Sequence, residues 1–219
     1  THVEDKVLLL GLGEEDKITT ESLRKTLFKA GKELMKLKVE SIDLSIPKFN
    51  NICYTKTVQA MVEGLLQSEY AFEKYLTEKK TKPSVKDVYL DIIEDKKEEV
   101  KEIIKETENI IEGVFLARNL VNEPAMTMTP TILANTAKEE LEKVGVKVEI
   151  YDKEKIEELE MGAFLAVSQG SNEEPKFIVM NYEGNPDSEN RLALVGKGLM
   201  FDSGGYCLKP AKGMETMHG

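Results

Sequence analysis

An α/β fold, two layers joined by a long helix, is predicted by three features of the 219-residue sequence. Short apolar runs alternate with helical patterns across residues 1–93. A helical stretch of unusual length follows, Glu94 to Asn119. Residues 129–195 then repeat the alternation and lead into a glycine-rich segment. Alternating strand and helix signals point to helices packed on small sheets. The predicted division is a first α/β unit at 1–97, a linker helix at 98–118 and a second unit at 119–219.

The elements are justified in turn. Val7 to Leu10 is an apolar run ending in Gly11-Leu-Gly13, and it predicts a strand and turn. Thr19 or Thr20 offers an N-cap. Leu23, Leu27, Ala30, Leu34 and Leu37 recur at helical spacing, so Thr20 to Leu37 predicts an amphipathic helix. Val39 to Ile46 alternates loosely before Pro47 and reads as a strand. Val58, Met61, Val62, Leu65 and Leu66 predict a helix over Thr57 to Tyr70, Lys74 to Pro83 a polar loop, and Val85 to Ile93 a strand. In the long helix Ile103, Ile104, Ile110, Ile111 and Val114 form the apolar side, and Asn122-Glu-Pro124 caps it and turns the chain.

Thr129-Pro130 places a capping hydroxyl and a first-turn proline at a helix start, and Gly145 closes that helix after Val144. Val146 to Tyr151 alternates as a strand, and Lys153 to Leu159 is a short charged helix. Ala163 to Val167, Phe177 to Tyr182 and Leu192 to Val195 are apolar runs that predict three more strands, the last of them buried.

Composition limits the function classes. With 41% hydrophobic and 32% charged residues the chain can bury a core and fold as a globular protein. A formal net charge of −10 makes nucleic acid an unlikely partner, since phosphate binding is driven by basic residues. No run approaches the ~18 apolar residues of a membrane span, and the first residues carry no signal-peptide core. A cytoplasmic location is expected. Cys53 and Cys207 lie far apart in sequence and are expected to stay reduced, pairing only if the fold brings them together.

The residues with chemistry to offer are concentrated at Leu192-Ala-Leu-Val-Gly-Lys-Gly-Leu-Met-Phe-Asp-Ser-Gly-Gly-Tyr-Cys-Leu-Lys209. Two lysines, Lys197 and Lys209, flank one carboxylate, Asp202, on glycine-rich backbone that lets another group come close. Strand ends in α/β proteins are where ligands usually sit. Taken singly, Lys197 reads as an exposed strand-end lysine and Asp202 as a turn cap. Their joint spacing among these glycines is what carries a functional reading.

That spacing resembles the leucyl (cytosol) aminopeptidase family, two-metal exopeptidases with the pattern Val-Gly-Lys-Gly-x-x-Phe-Asp-Ser-Gly-Gly and a following lysine. Here it is Val195 to Gly205, then Lys209. The resemblance extends upstream to Ala117-Arg-Asn-Leu-Val-Asn-Glu-Pro124, with Met126 where the family commonly has asparagine, and to the loop Gln169 to Pro175. It implies that Lys197 ligates a metal, that Asp202 bridges two divalent ions (zinc or manganese), and that Lys209 stays charged and polarises the scissile carbonyl. Met217 matches a position lining the pocket for the substrate's first side chain, though it reads equally as a packing methionine. The resemblance further implies peptide substrates and a homo-oligomer, a hexamer in the family. Its next aspartate ligand would fall one residue past Gly219, and its remaining carboxylates and an arginine further on. The chain therefore looks like a fragment lacking the start of the N-terminal domain and most of the catalytic domain, and is expected to be inactive alone.

The chemistry of those roles is demanding. A lysine amine binds a metal only when neutral, and deprotonating it at pH 7 costs roughly 4–5 kcal/mol. A nearby divalent ion favours the neutral form. Two metals can acidify a bridging water and hold the substrate. Two rival readings exist. One is a phosphate- or nucleotide-binding module, suggested by Gly196-Lys197-Gly198 and by Gly11-Leu-Gly13. The first lacks Walker spacing, and Asp16 stands where a third glycine belongs in the second. The other rival is a non-catalytic interaction fragment. His218, beside the motif, has no ligand counterpart in the family.

Overall fold

The computed structural model describes residues 6–78 and 85–217. The expectations at His218 and in the last part of the Lys74 to Pro83 loop lie outside them. The fold is α/β, and the chain forms two compact units, Thr1–Ala117 and Arg118–Gly219.

The first unit is built on two helices. Helix α1, Thr20–Lys36, starts at Thr19, whose hydroxyl accepts from the Ser22 backbone N–H while the Ser22 hydroxyl accepts from that of Thr19. This reciprocal box satisfies two donors that the first turn would leave orphaned. Strand β1 is Ser41–Ser45, helix α2 is Tyr54–Ser68, and strand β2 is Asp87–Asp91. The strands pair in parallel, Ser41 opposite Asp87 through Ser45 opposite Asp91. Leu23 and Leu27 of α1 share a core with Val58 and Met61 of α2 and with Val100 of helix α3, Lys97–Asn122. A short 3-10 turn, Glu94–Lys96, precedes α3.

The second unit is smaller in its core. Helix α4, Pro130–Glu142, is capped by the Thr129 hydroxyl, which accepts from the Ile132 N–H. Gly145 takes φ +83° beyond the end of α4, where the chain turns into β3. Strand β3, Lys147–Tyr151, leads to α5, Lys153–Glu158, and α6, Gly162–Ser168. Strand β4, Phe177–Asn181, runs antiparallel to β3, with Lys147 opposite Asn181. Helix α7, Ala211–Met214, is a single turn. Ala134, Val148 and Ile156 are the most deeply buried apolar residues of this unit. Cys53 and Cys207 are free thiols. No helix among the described residues is long and apolar enough to cross a membrane.

Three strand predictions are overturned. Ala163 to Val167 lies inside helix α6. A five-residue apolar run does not distinguish strand from helix by pattern alone. Here alanine, phenylalanine, leucine and alanine precede the only β-branched residue, and the helix sets Phe164 edge-on against Phe177 of β4, with ring centroids 5.8 Å apart. Leu192 to Val195 is neither a strand nor buried. Leu192, Leu194 and Val195 are 87%, 88% and 99% exposed, and none of the described strands pairs with them. Val7 to Leu10 likewise joins no sheet, with Val7 and Leu9 open to solvent. An extended segment becomes a strand only when a neighbour takes up its backbone hydrogen bonds.

The contact between α1 and α2 depends on the absence of side chains. A Cβ on Gly64 would lie 2.3 Å from the Arg24 carbonyl oxygen and 3.0 Å from Leu27 Cβ. Alanine gains about 1 kcal/mol of helix propensity over glycine, but overpacking against backbone costs about 1–3 kcal/mol. Gly64→Ala should lower the urea midpoint of the first unit. A raised midpoint would show that propensity, not helix proximity, governs this position.

Candidate functional site

The glycine-rich segment has no regular secondary structure until α7, so its shape comes from local ties. Gly204 and Gly205 take φ +95° and +70°, a region that L side chains rarely enter. A Cβ on Gly204 would lie 2.5 Å from the Cys207 carbonyl oxygen. The turn folds the chain back on itself: the Lys209 N–H donates to the Ser203 carbonyl at 2.9 Å. Its side chain then reaches the start of the turn. Lys209 Nζ lies 2.7 Å from Asp202 Oδ1 and donates to the Asp202 carbonyl at 3.2 Å. The Gly204 N–H donates to the same carboxylate oxygen at 3.0 Å.

These contacts set the electrostatics of Asp202. The Lys209 hydrogen bond, then the Gly204 N–H, hold its carboxyl below the ordinary value of 3.8, with Lys197 a weaker pull in the same direction and desolvation opposing. Lys197 is exposed; a Cβ on Gly196 would meet open space, and one on Gly198 would lie 3.5 Å from the Leu133 side chain.

Lys197, Asp202 and Met217 line one cavity of about 280 Å³ in the second unit. The Asp202 N–H donates to the Met217 carbonyl at 3.2 Å, which ties the loop to the turn beyond α7. The structure thus brings together the four residues the sequence singled out, Lys209 entering through its ion pair with Asp202. The remaining lining is apolar, with Leu120, Met128, Leu133 and Met200, except for Glu123. Glu123 is 8% exposed, whereas its sequence context marks it as a residue that caps the helix and turns the chain. An acid directly after Leu120-Val121-Asn122 and before proline was the available signal, but its burial is set by packing that the local sequence does not encode.

A cation fits part of this site. Asp202 already holds a positive group, the Lys209 ammonium, against its carboxylate. No group of three or more His, Cys, Asp or Glu side chains able to hold a metal occurs among the described residues. One carboxylate and one amine can begin a metal site but do not enclose two divalent ions. At Gly196-Lys197-Gly198 the phosphate-binding reading loses its basis, because no helix opens directly after Gly198. A P-loop requires one there.

Comparison with known proteins extends the geometry. Residues 2–79 match the model of the cytosol aminopeptidase family N-terminal domain, and residues 115–219 that of the family's catalytic domain. A probable cytosol aminopeptidase of Clostridium tetani is 64% identical over 218 residues, covering 100% of this chain and 45% of the relative. Others from Treponema denticola and Clostridium perfringens are 48% and 44% identical, each covering 96% of this chain and 44% and 43% of the relative. The chain thus spans just under half the length of these relatives. Among solved structures, the bottromycin maturation enzyme BotP superposes with a TM-score of 0.77 at 26% identity, covering 96% of this chain and 43% of that one. Its complex with Mn shares the fold at the same TM-score and 24% identity, covering 95% and 43%.

The depressed Asp202 carboxyl gives a prediction with a definite sign. A carboxylate whose folded pKa lies below its unfolded value stabilises the fold above the unfolded value. That contribution is lost as pH falls through the folded one. The Asp202 carboxyl should therefore titrate by NMR with a midpoint below 3.8. In Lys209→Met the midpoint should move up toward the ordinary aspartate range. An unchanged midpoint in the variant would mean that the pair does not form in solution.

Proposed function

The chain belongs to the cytosol aminopeptidase family, and on that premise we propose that the whole protein hydrolyses the N-terminal peptide bond of peptides with the aid of divalent metal ions. The observation that carries the reading is the convergence of Lys197, Asp202 and Met217 on one cavity, with Lys209 bound to Asp202, inside the segment that matches the family's catalytic domain.

Lys197 and Asp202 are the residues here that would hold the ions, the lysine as a neutral nitrogen donor and the aspartate through both oxygens. Two such ions, zinc or manganese, would supply an acidified water at neutral pH and an anchor for the substrate amine. Lys209 remains charged and stabilises the oxyanion that develops on the scissile carbonyl. Met217, with the apolar lining around it, takes the first side chain of the peptide. A cytoplasmic homo-oligomer, a hexamer, completes the reading. Among the described residues no cluster of carboxylates encloses two ions, and the 219-residue chain alone is proposed to be inactive. Robust metal-dependent release of an N-terminal residue by the isolated chain would contradict that.

The two lysines should fail differently in the whole protein. Lys197→Ala removes a ligand nitrogen, so metal content should fall and activity should recover in part at high metal concentration. Lys209→Ala removes one oxyanion donor, which typically costs about 10²–10³ in kcat, and added metal should not restore it. Elemental analysis beside kcat for each variant separates the roles. Metal loss confined to Lys209→Ala would mean that they are reversed.

A further inference from the structure

The loop Gln169 to Pro175 takes no part in the site described above. It lines a second cavity of the same unit, about 470 Å³, which shares no residue with the first. Helices α5 and α6 supply the other walls, through Lys153, Glu157 and Leu165. The size is that of a small-molecule site, but the walls carry more polar groups than such sites commonly do. Some of those groups are engaged within the protein. Glu174 Oε1 accepts from the Lys153 N–H at 3.1 Å, and Glu174 Oε2 lies 2.6 Å from Lys176 Nζ, whose side chain is only 12% exposed. Glu174 thus anchors the loop to the start of α5. Other groups are not engaged. No hydrogen bond or ion pair among the described residues takes up the side-chain amides of Gln169 and Asn172 or the carboxylate of Glu173. The Lys153 ammonium lies 3.7 Å from Glu157 Oε1, and both side chains are more than half exposed, so this contact is weak and open to exchange.

We propose that this cavity binds a free α-amino acid, with its carboxylate on the Lys153 ammonium, its ammonium on Glu157 and Glu173, and its side chain against Leu165 and Pro175. A zwitterion carries both charges on one small molecule, so it can replace the Lys153–Glu157 contact on both sides at once. A simple anion or cation would leave one of the two without its partner. The amides of Gln169 and Asn172 each offer a donor and an acceptor to the same ligand. Because these side chains are exposed, the affinity is modest, with a dissociation constant on the order of 1 mM. Under the activity proposed above a free amino acid is the product, which makes the cavity a place where product can act on the protein. The binding itself does not depend on that reading.

Hydrogen exchange of the full-length protein, read by mass spectrometry, tests the proposal with L-leucine as the probe. Leucine should slow exchange severalfold in the peptide spanning 165–176. N-acetyl-leucine, which lacks the ammonium, and isopentylamine, which lacks the carboxylate, should not. Lys153→Met keeps the backbone N–H that anchors Glu174 but removes the cation. It should raise the leucine concentration for half-maximal protection about three- to tenfold, the range for one exposed hydrogen bond to a charged group. If the variant fails to fold, the three probes decide alone. Absence of leucine protection at 165–176, equal protection by all three probes, or an unchanged midpoint in Lys153→Met overturns the amino-acid site. Peptide hydrolysis is assayed separately on the same preparation, and its absence would overturn the aminopeptidase reading while leaving the cavity's ligand as found.

Discussion

The ion pair between Lys209 and Asp202 fixes the geometry on which the candidate site depends. The segment from 196 to 210 has no helix or strand to define it. Its shape comes from a turn that only glycine can make without strain at φ +95°, and from the side chain that spans that turn. Once Lys209 is seated, the Asp202 backbone is held from two sides, by the Lys209 Nζ at its carbonyl and by the Met217 carbonyl at its N–H. Charge and loop closure thus meet at one contact.

The first unit is held together differently. Its stability comes from apolar burial between α1 and α2, where Gly31 and Gly64 let the helices approach more closely than any side chain would allow. One charged pair is built into that contact. Arg24 Nε lies 2.6 Å from Glu63 Oε2, and the Gln59 amide donates to the other carboxylate oxygen at 3.1 Å. Glu63 is 7% exposed, so its charge is tolerable only because both oxygens are engaged. Truncating Arg24 would leave a buried carboxylate short of its strongest partner. Such a pair therefore specifies how the helices meet more than it adds to their affinity.

The helices were legible in the sequence because their signals are local. Leu23, Leu27, Ala30 and Leu34 recur at helical spacing, and Thr19 and Thr129-Pro130 mark helix starts by chemistry that operates within a single turn. Strands were legible only where a neighbour exists. Val39 to Ile46 and Val85 to Ile93 contain β1 and β2 because each supplies the other's ladder. Leu192 to Val195 has the same apolar character and no partner among the described strands. Lys197, Asp202 and Lys209 stand out in the sequence because their types and spacing are themselves the signal, and the first two line one cavity. Glu123 does not, since nothing in its neighbours in sequence says that packing will bury it beside them.

The two lysines of the motif are distinguished by their surroundings rather than by their chemistry, which is identical. A lysine that ligates a metal has to surrender a proton, and any carboxylate partner with it. Lys197 has no such partner among the described residues and stands on backbone flanked by open space at Gly196. Lys209 is bound to Asp202 and sits at the closing end of a tight turn. Exchanging their roles would leave Lys197 as the charged group with no partner among the described residues to orient it. The geometry of one turn therefore supports an assignment that residue type alone leaves undecided: the untethered lysine as the nitrogen donor, and the tethered one as the cation whose position is controlled.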